Sequence, residues 1–146
     1  MDYEKEKAEA YQRYYEEALG EPLDWVRHDS NARTDDALEA LRDELGFAGY
    51  GRWWLLVELL SARKGHGYDI GRAHGWEHLA RDMEWEVEPT KTFVAWLLDH
   101  GLLSRESFEA FDMVRSERIM RNAHEYAEGV AAKRLGGWAK ARRARA

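Results

Sequence analysis

Several groups of side chains have the types and spacing for chemistry, and each also has a simpler structural explanation. His74 and His78 stand four residues apart and Asp82 four further, so one helical face could present two imidazoles and a carboxylate to a metal ion. His74 precedes Gly75, at a helix boundary, and the glutamate of a zinc hydrolase motif is missing, so polar surface or a hydrogen-bonded buried histidine is expected instead. Asp29, Asn31 and Asp35 could offer oxygens to magnesium, yet Asn and Asp in a polar run also form Asx turns and helix caps that need no ion. His28 and Asp29, with any of Ser30, Ser61 or Ser104, lack the strand-turn-helix elbow of a nucleophile set. Gly49-Tyr50-Gly51 sits in an apolar helical pattern without the Lys-Ser/Thr of a phosphate cradle. The absence of cysteine removes thiolate zinc sites and thiol nucleophiles. The expectation is a non-enzymatic protein with no catalytic residues, no metal and no cofactor.

The cations carry more meaning. Residues 1–114 hold 13 Lys and Arg against 25 Asp and Glu, whereas residues 115–146 hold 9 against 3, within a net charge of −6. Arg115, Arg118 and Arg121 recur every three residues, and Lys133, Arg134, Lys140, Arg142, Arg143 and Arg145 prolong the basic run. Trp138 among them could stack on an exposed base, a contact worth about 1–3 kcal/mol and tolerant of sequence. An acidic body with a basic end favours a polyanion partner, because phosphate affinity comes largely from counterions that Lys and Arg release. The competing reading packs Trp138 back on the body and leaves the arginines solvated.

The elements that must position these residues read as mostly helical. At 146 residues, with 45% hydrophobic and 34% charged side chains and only 2 Pro, the chain suits one folded domain plus an arm or tail. Uninterrupted apolar runs such as Trp53 to Val57 fall far short of the roughly 20 residues of a membrane span, and the amino terminus is acidic and unlike a signal peptide. A soluble, cytoplasmic protein is expected.

Residues 3–19 form an amino-terminal helix whose Tyr11, Tyr14, Tyr15 and Leu19 must pack on the body or on another subunit; Gly20 and Pro22 end it. Thr34 or Asp35 caps the next helix, whose buried stripe is Leu38, Leu41 and Leu45, and Gly46 stops it. A helix over about 48–64 runs through the core, and a short strand lies near 65–71. A helix over 76–85 follows, then the breaking linker Glu86-Val87-Glu88-Pro89 and a helix over 90–100. Residues 102–114 read as a hairpin around Arg105-Glu106, and a last helix from Ser116 ends at Gly136-Gly137. The fold class is mainly α: a winged helix-turn-helix with a short β-hairpin, plus an extra N-terminal helix and a long C-terminal helix. Its divisions are an arm at 1–22, a winged-helix domain at 23–135 and a basic tail at 136–146. In this motif the second helix of the pair is offered to the DNA major groove and the hairpin to the flanking backbone.

His28-Asp29-Ser30-Asn31-Ala32-Arg33-Thr34-Asp35, then Leu41, Leu45-Gly46 and Gly49-Tyr50-Gly51-Arg52-Trp53-Trp54, with Leu56, Glu58 and Leu60, carry a resemblance to a known family. Gly101-Leu102-Leu103 and Ser116-Glu117-Arg118-Ile119 continue it, over about residues 24–122. The sequence resembles phage and prophage proteins with a DnaD-like amino-terminal winged-helix domain, described as replisome organisers or replication-initiation proteins. The resemblance implies helicase loading or origin remodelling through DNA contact and self-association, without catalysis. Relatives often continue into a second domain for single-strand binding or helicase contact, which places part of the function elsewhere. The helix at 90–100 also departs from a base reader, because its outward positions are Lys91, Thr92, Ala95, Trp96 and Asp99.

The leading expectation is weak DNA binding with little sequence preference through Lys91, Thr92, Arg105 and the basic carboxy-terminal segment, with the aromatic arm joining subunits into a homo-oligomer. The alternatives are a module docking a helicase or loader without touching DNA, and a small transcriptional regulator.

Overall fold

In the computed structural model of this chain, residues 2–26, 28, 32 and 35–145 are described. Asp29, Ser30, Asn31 and Thr34 lie outside them. Helix α1, Tyr3–Leu19, begins where the Asp2 side chain accepts from the Glu4 amide at 3.1 Å, filling one of the donors that a helix start leaves unpaired. Asp35 does the same for α2, Asp36–Ser61, accepting from Ala37 and Leu38 at 3.1 and 3.2 Å.

Gly46 interrupts α2 at φ 69°, ψ −170°, a conformation that is nearly confined to glycine. The two helices expected on either side of it are therefore present as one element with a break, and the second ends at Ser61 rather than Lys64. Beyond the break, Trp53, Leu56 and Leu60 are almost fully buried and form the centre of the core.

Strand β1, Gly67–Asp69, leads to α3, Gly75–Asp82, and then to α4, Val87–Asp99. The linker between α3 and α4 falls at residues 83–86, three positions before the expected Glu86–Pro89. Pro89 sits inside the first turn of α4, where its missing amide hydrogen has no helical acceptor to lose. Phe93, Val94, Leu97 and Leu98 point inward, as the spacing requires.

The hairpin expected over residues 102–114 is corrected by the structure. Ser104 accepts from the Ser107 amide at 3.2 Å and caps a short helix α5, Arg105–Phe111, so Arg105 stands on a helix and not at a ribbon tip. Asp112, at φ 51°, turns the chain into β2, Met113–Arg115. The partner of β2 is β1: the two run antiparallel, with Tyr68 opposite Val114, both buried. The antiparallel pair of a winged-helix-like, mainly helical fold is thus present, but its strands are joined by three helices rather than by a turn. A short apolar stretch supports helix or strand equally by periodicity, and here the cap decided.

The last helix is also longer than expected. α6, Glu117–Arg145, continues through Gly136-Gly137, so the segment expected as a tail is helical. It has a partner along its length. α1 runs antiparallel to it, with Ala10 and Ala18 of α1 and Ala123, Ala127 and Ala131 of α6 all buried. The four-residue spacing of the α6 alanines puts methyl groups along one stripe and lets the backbones approach closely. This packing offsets the roughly 1 kcal/mol that each glycine costs a helix relative to alanine.

Candidate nucleic-acid interface

Helix α4 offers little to a polyanion. Lys91 is exposed but pairs with Glu88 at 3.7 Å and lies 5.8 Å from the Trp76 ring. The Thr92 hydroxyl donates to the Glu88 carbonyl at 3.1 Å. Trp96 is half-buried: its Nε1 donates to Glu44 of α2 at 2.9 Å, and the His100 ring stacks on it at 3.7 Å. Arg105 is held from both sides, donating to Asp99 at 2.7 Å and to Glu109 at 3.4 Å. Each of these cations already faces a carboxylate, so a phosphate would have to displace one.

The arginines at the start of α6 separate from one another. Arg115 pairs with Gly67 across the sheet and is half-buried, its Nε without a hydrogen-bond partner. Arg118 donates to Asp35 at 2.6 Å. Arg121 is exposed. With Asp35, Trp53, Trp54, Arg118 and Asn122 it borders a half-open cavity of about 280 Å³ between α2 and α6. The sequence did not announce this cleft, because its walls come from residues more than sixty positions apart.

Further along α6 the cations fall into two sets. Lys133, Lys140 and Arg143 are exposed and have no ion-pair partner among the described residues. At i, i+7 and i+10 they share one side of the helix. Arg145 is exposed too, donating to the Ala141 carbonyl. Arg134, Trp138 and Arg142 instead meet α1: Arg134 pairs with Glu17 at 3.7 Å, Arg142 with Glu6, and the Trp138 ring lies 5.9 Å from Tyr3. Trp138 is therefore packed on the arm, where a base contact was expected.

The arm tyrosines face the same chain. Tyr15 hydrogen-bonds His124 of α6 and stacks on its ring, and Tyr11 stacks on Tyr15 at 6.4 Å. Tyr14 lies under Arg13, and the Leu19 carbonyl is in hydrogen-bond contact with the buried His66 ring at 3.1 Å. These four residues, expected to join subunits, are half-buried within a single chain.

His74 stands before α3 at φ 57° and contacts Glu77, while Asp82 accepts from the Tyr68 hydroxyl at 2.6 Å and from Arg81 at 3.2 Å. Among the described residues no three His, Asp or Glu side chains gather as metal ligands. His28 lies flat on Trp54 at 3.8 Å, a packing contact.

Residues 25–119 match the model of the family described as Lin1244/Lin1753-like, N-terminal. The chain belongs to this family. No curated protein and no solved structure matches it. The Lin1244/Lin1753-like region runs from the segment between α1 and α2 to the first turn of α6, so it contains Lys91, Thr92, Arg105, Arg115 and Arg118. The arm α1 and the cations from Arg121 onward lie outside it. None of the described helices is long and apolar enough to cross a membrane.

Proposed function

We propose that this chain is a DNA-associated, non-enzymatic winged-helix domain of the phage or prophage replication-initiation type, acting in the cytoplasm and touching the DNA backbone with little sequence preference. The observation that carries this reading is the outward side of α6, where Lys133, Lys140 and Arg143 stand exposed on one rigid helix without ion-pair partners among the described residues. Unpaired cations at helical spacing bind phosphates without reading bases, because they bring charge and no donor-acceptor pattern to a groove. Replication initiation is what the resemblance to replisome organisers suggests, with a helicase or loader as protein partner and a homo-oligomer as working form.

The test is fluorescence anisotropy with single-stranded and duplex oligonucleotides between about 50 and 200 mM salt, with a steep loss of affinity expected as salt rises. No binding at the low end overturns the reading. A second reading, a protein-docking module without DNA contact, is favoured by the α4 surface, whose cations Lys91 and, beside it, Arg105 are each committed to carboxylates. A regulator would instead prefer one duplex and lose about 1–3 kcal/mol per mismatch.

A further inference from the structure

Arg134, Trp138 and Arg142 recur every four residues on α6, so they form one ridge of cation, indole and cation about 6 Å apart along the helix axis. A single strand of nucleic acid fits such a ridge, its base stacking on the indole and its phosphates meeting the flanking guanidiniums. In this structure the ridge is occupied. α1 brings a carboxylate to each arginine, Glu17 to Arg134 and Glu6 to Arg142, and lays the Tyr3 ring against Trp138. Arg142 also lies over both rings, 5.5 Å from Tyr3 and 5.7 Å from Trp138. Two anions and one aromatic ring thus hold the places that two phosphates and a base would take.

We infer that α1 is an internal mimic of single-stranded nucleic acid, which covers the Arg134–Trp138–Arg142 ridge and yields it to a bound strand. The inference rests on the DNA-binding reading above and adds regulation to it. The geometry also makes the cover removable. The fully buried side chains where α1 meets α6 are alanines, each burying little apolar area, and the Arg134–Glu17 pair is half exposed on both sides. The C-terminal end of α1 is tied down: the Gly65 amide donates to the Gly20 carbonyl at 2.7 Å, and His66 contacts the Leu19 carbonyl. Among the described residues the end carrying Tyr3 and Glu6 has no such backbone tie to the body, so α1 peels from that end and first uncovers Trp138 and Arg142.

The experiment uses the full chain and a fluorescent single strand of about 20 thymidines, a length that exceeds one binding patch. Glu6→Gln with Glu17→Gln removes both mimicking charges. Glu9→Gln with Glu16→Gln removes the same net charge from exposed α1 positions whose contacts stay within the arm, Lys5 and Gln12. The uncovered variant is expected to bind more tightly than the control variant and to steepen the slope of log affinity against log salt by about 1.4, two further phosphates at about 0.7 each. Adding Arg134→Gln and Arg142→Gln is expected to cancel the gain. Glu17→Gln alone, at a half-exposed pair whose loss costs little stability, is expected to give half the change in slope. Equal affinity and slope in the uncovered and control variants overturn the inference while leaving DNA binding intact. Absence of binding by every variant overturns both readings.

Discussion

The Arg118 guanidinium donates to the Asp35 carboxylate at 2.6 Å, fastening the first turn of α6 to the residue that caps α2. Burial by itself would raise the Asp35 carboxyl. The Leu38 amide, Arg118 and the Ala37 amide outweigh it and hold the group below its ordinary value of 3.8. Removing the carboxylate costs the cap, about 0.5–2 kcal/mol, and strands Arg118. Asp35→Ala is expected to lower the urea midpoint accordingly, and Arg118→Ala to lower it less, since the cap survives. A depressed folded value means stability that is present above the unfolded value and lost as pH falls through the folded one. Wild type therefore loses this contribution below about pH 4, and Asp35→Asn shows a flatter acid limb in unfolding measured against pH.

Tyr68 gives the opposite sign. Its ring is fully buried beneath the sheet, and burial, then the hydrogen bond to Asp82, push its hydroxyl above 10.0. Stability from the protonated hydroxyl is whole below the unfolded value and drains as pH rises through the folded one. Tyr68→Phe is expected to cost about 1.5–3 kcal/mol at neutral pH, the range for a hydrogen bond to a charged group. Tyr15, raised by burial and by Glu128, also ionises late. Phenolate absorbance should show one late-ionising tyrosine fewer in Tyr68→Phe than in wild type.

Glycine substitutions test the helix boundaries. Gly46→Ala is expected to destabilise by about 1–3 kcal/mol from backbone strain alone, because an added Cβ there meets no neighbour. Gly136→Ala and Gly137→Ala meet open space within a helix and should each stabilise by about 0.5–1 kcal/mol. An unchanged urea midpoint for the last two would contradict a helix that continues through them.

Replacing Lys133, Lys140 and Arg143 together by Gln is expected to reduce the salt slope for duplex DNA by about 2.7, three phosphates at about 0.9 each. Lys91→Gln with Arg105→Gln should leave the slope unchanged, because those charges are already neutralised by Glu88, Asp99 and Glu109.

Local chemistry made part of this protein legible from its residues. Asp35 as a cap, Gly46 as a stop, the inward face of α4 and the scarcity of free cations on that helix follow from periodicity and side-chain type, which act within a few residues. The helical arm over 3–19 was legible for the same reason. Tertiary contact decided the rest. Residues 113–115 pair as a strand outside the expected hairpin, beyond the Ser104-capped helix over 105–111, because the partner of β2 is β1, on the far side of α3 and α4. Gly136-Gly137 stayed helical because α1 lies against that helix, and the basic run divided into free and covered cations because Glu6 and Glu17 sit on that arm. A sequence fixes which faces are apolar and which residues are charged; which charge meets which is set only when distant segments pack, since an ion pair depends on distance in space and not along the chain.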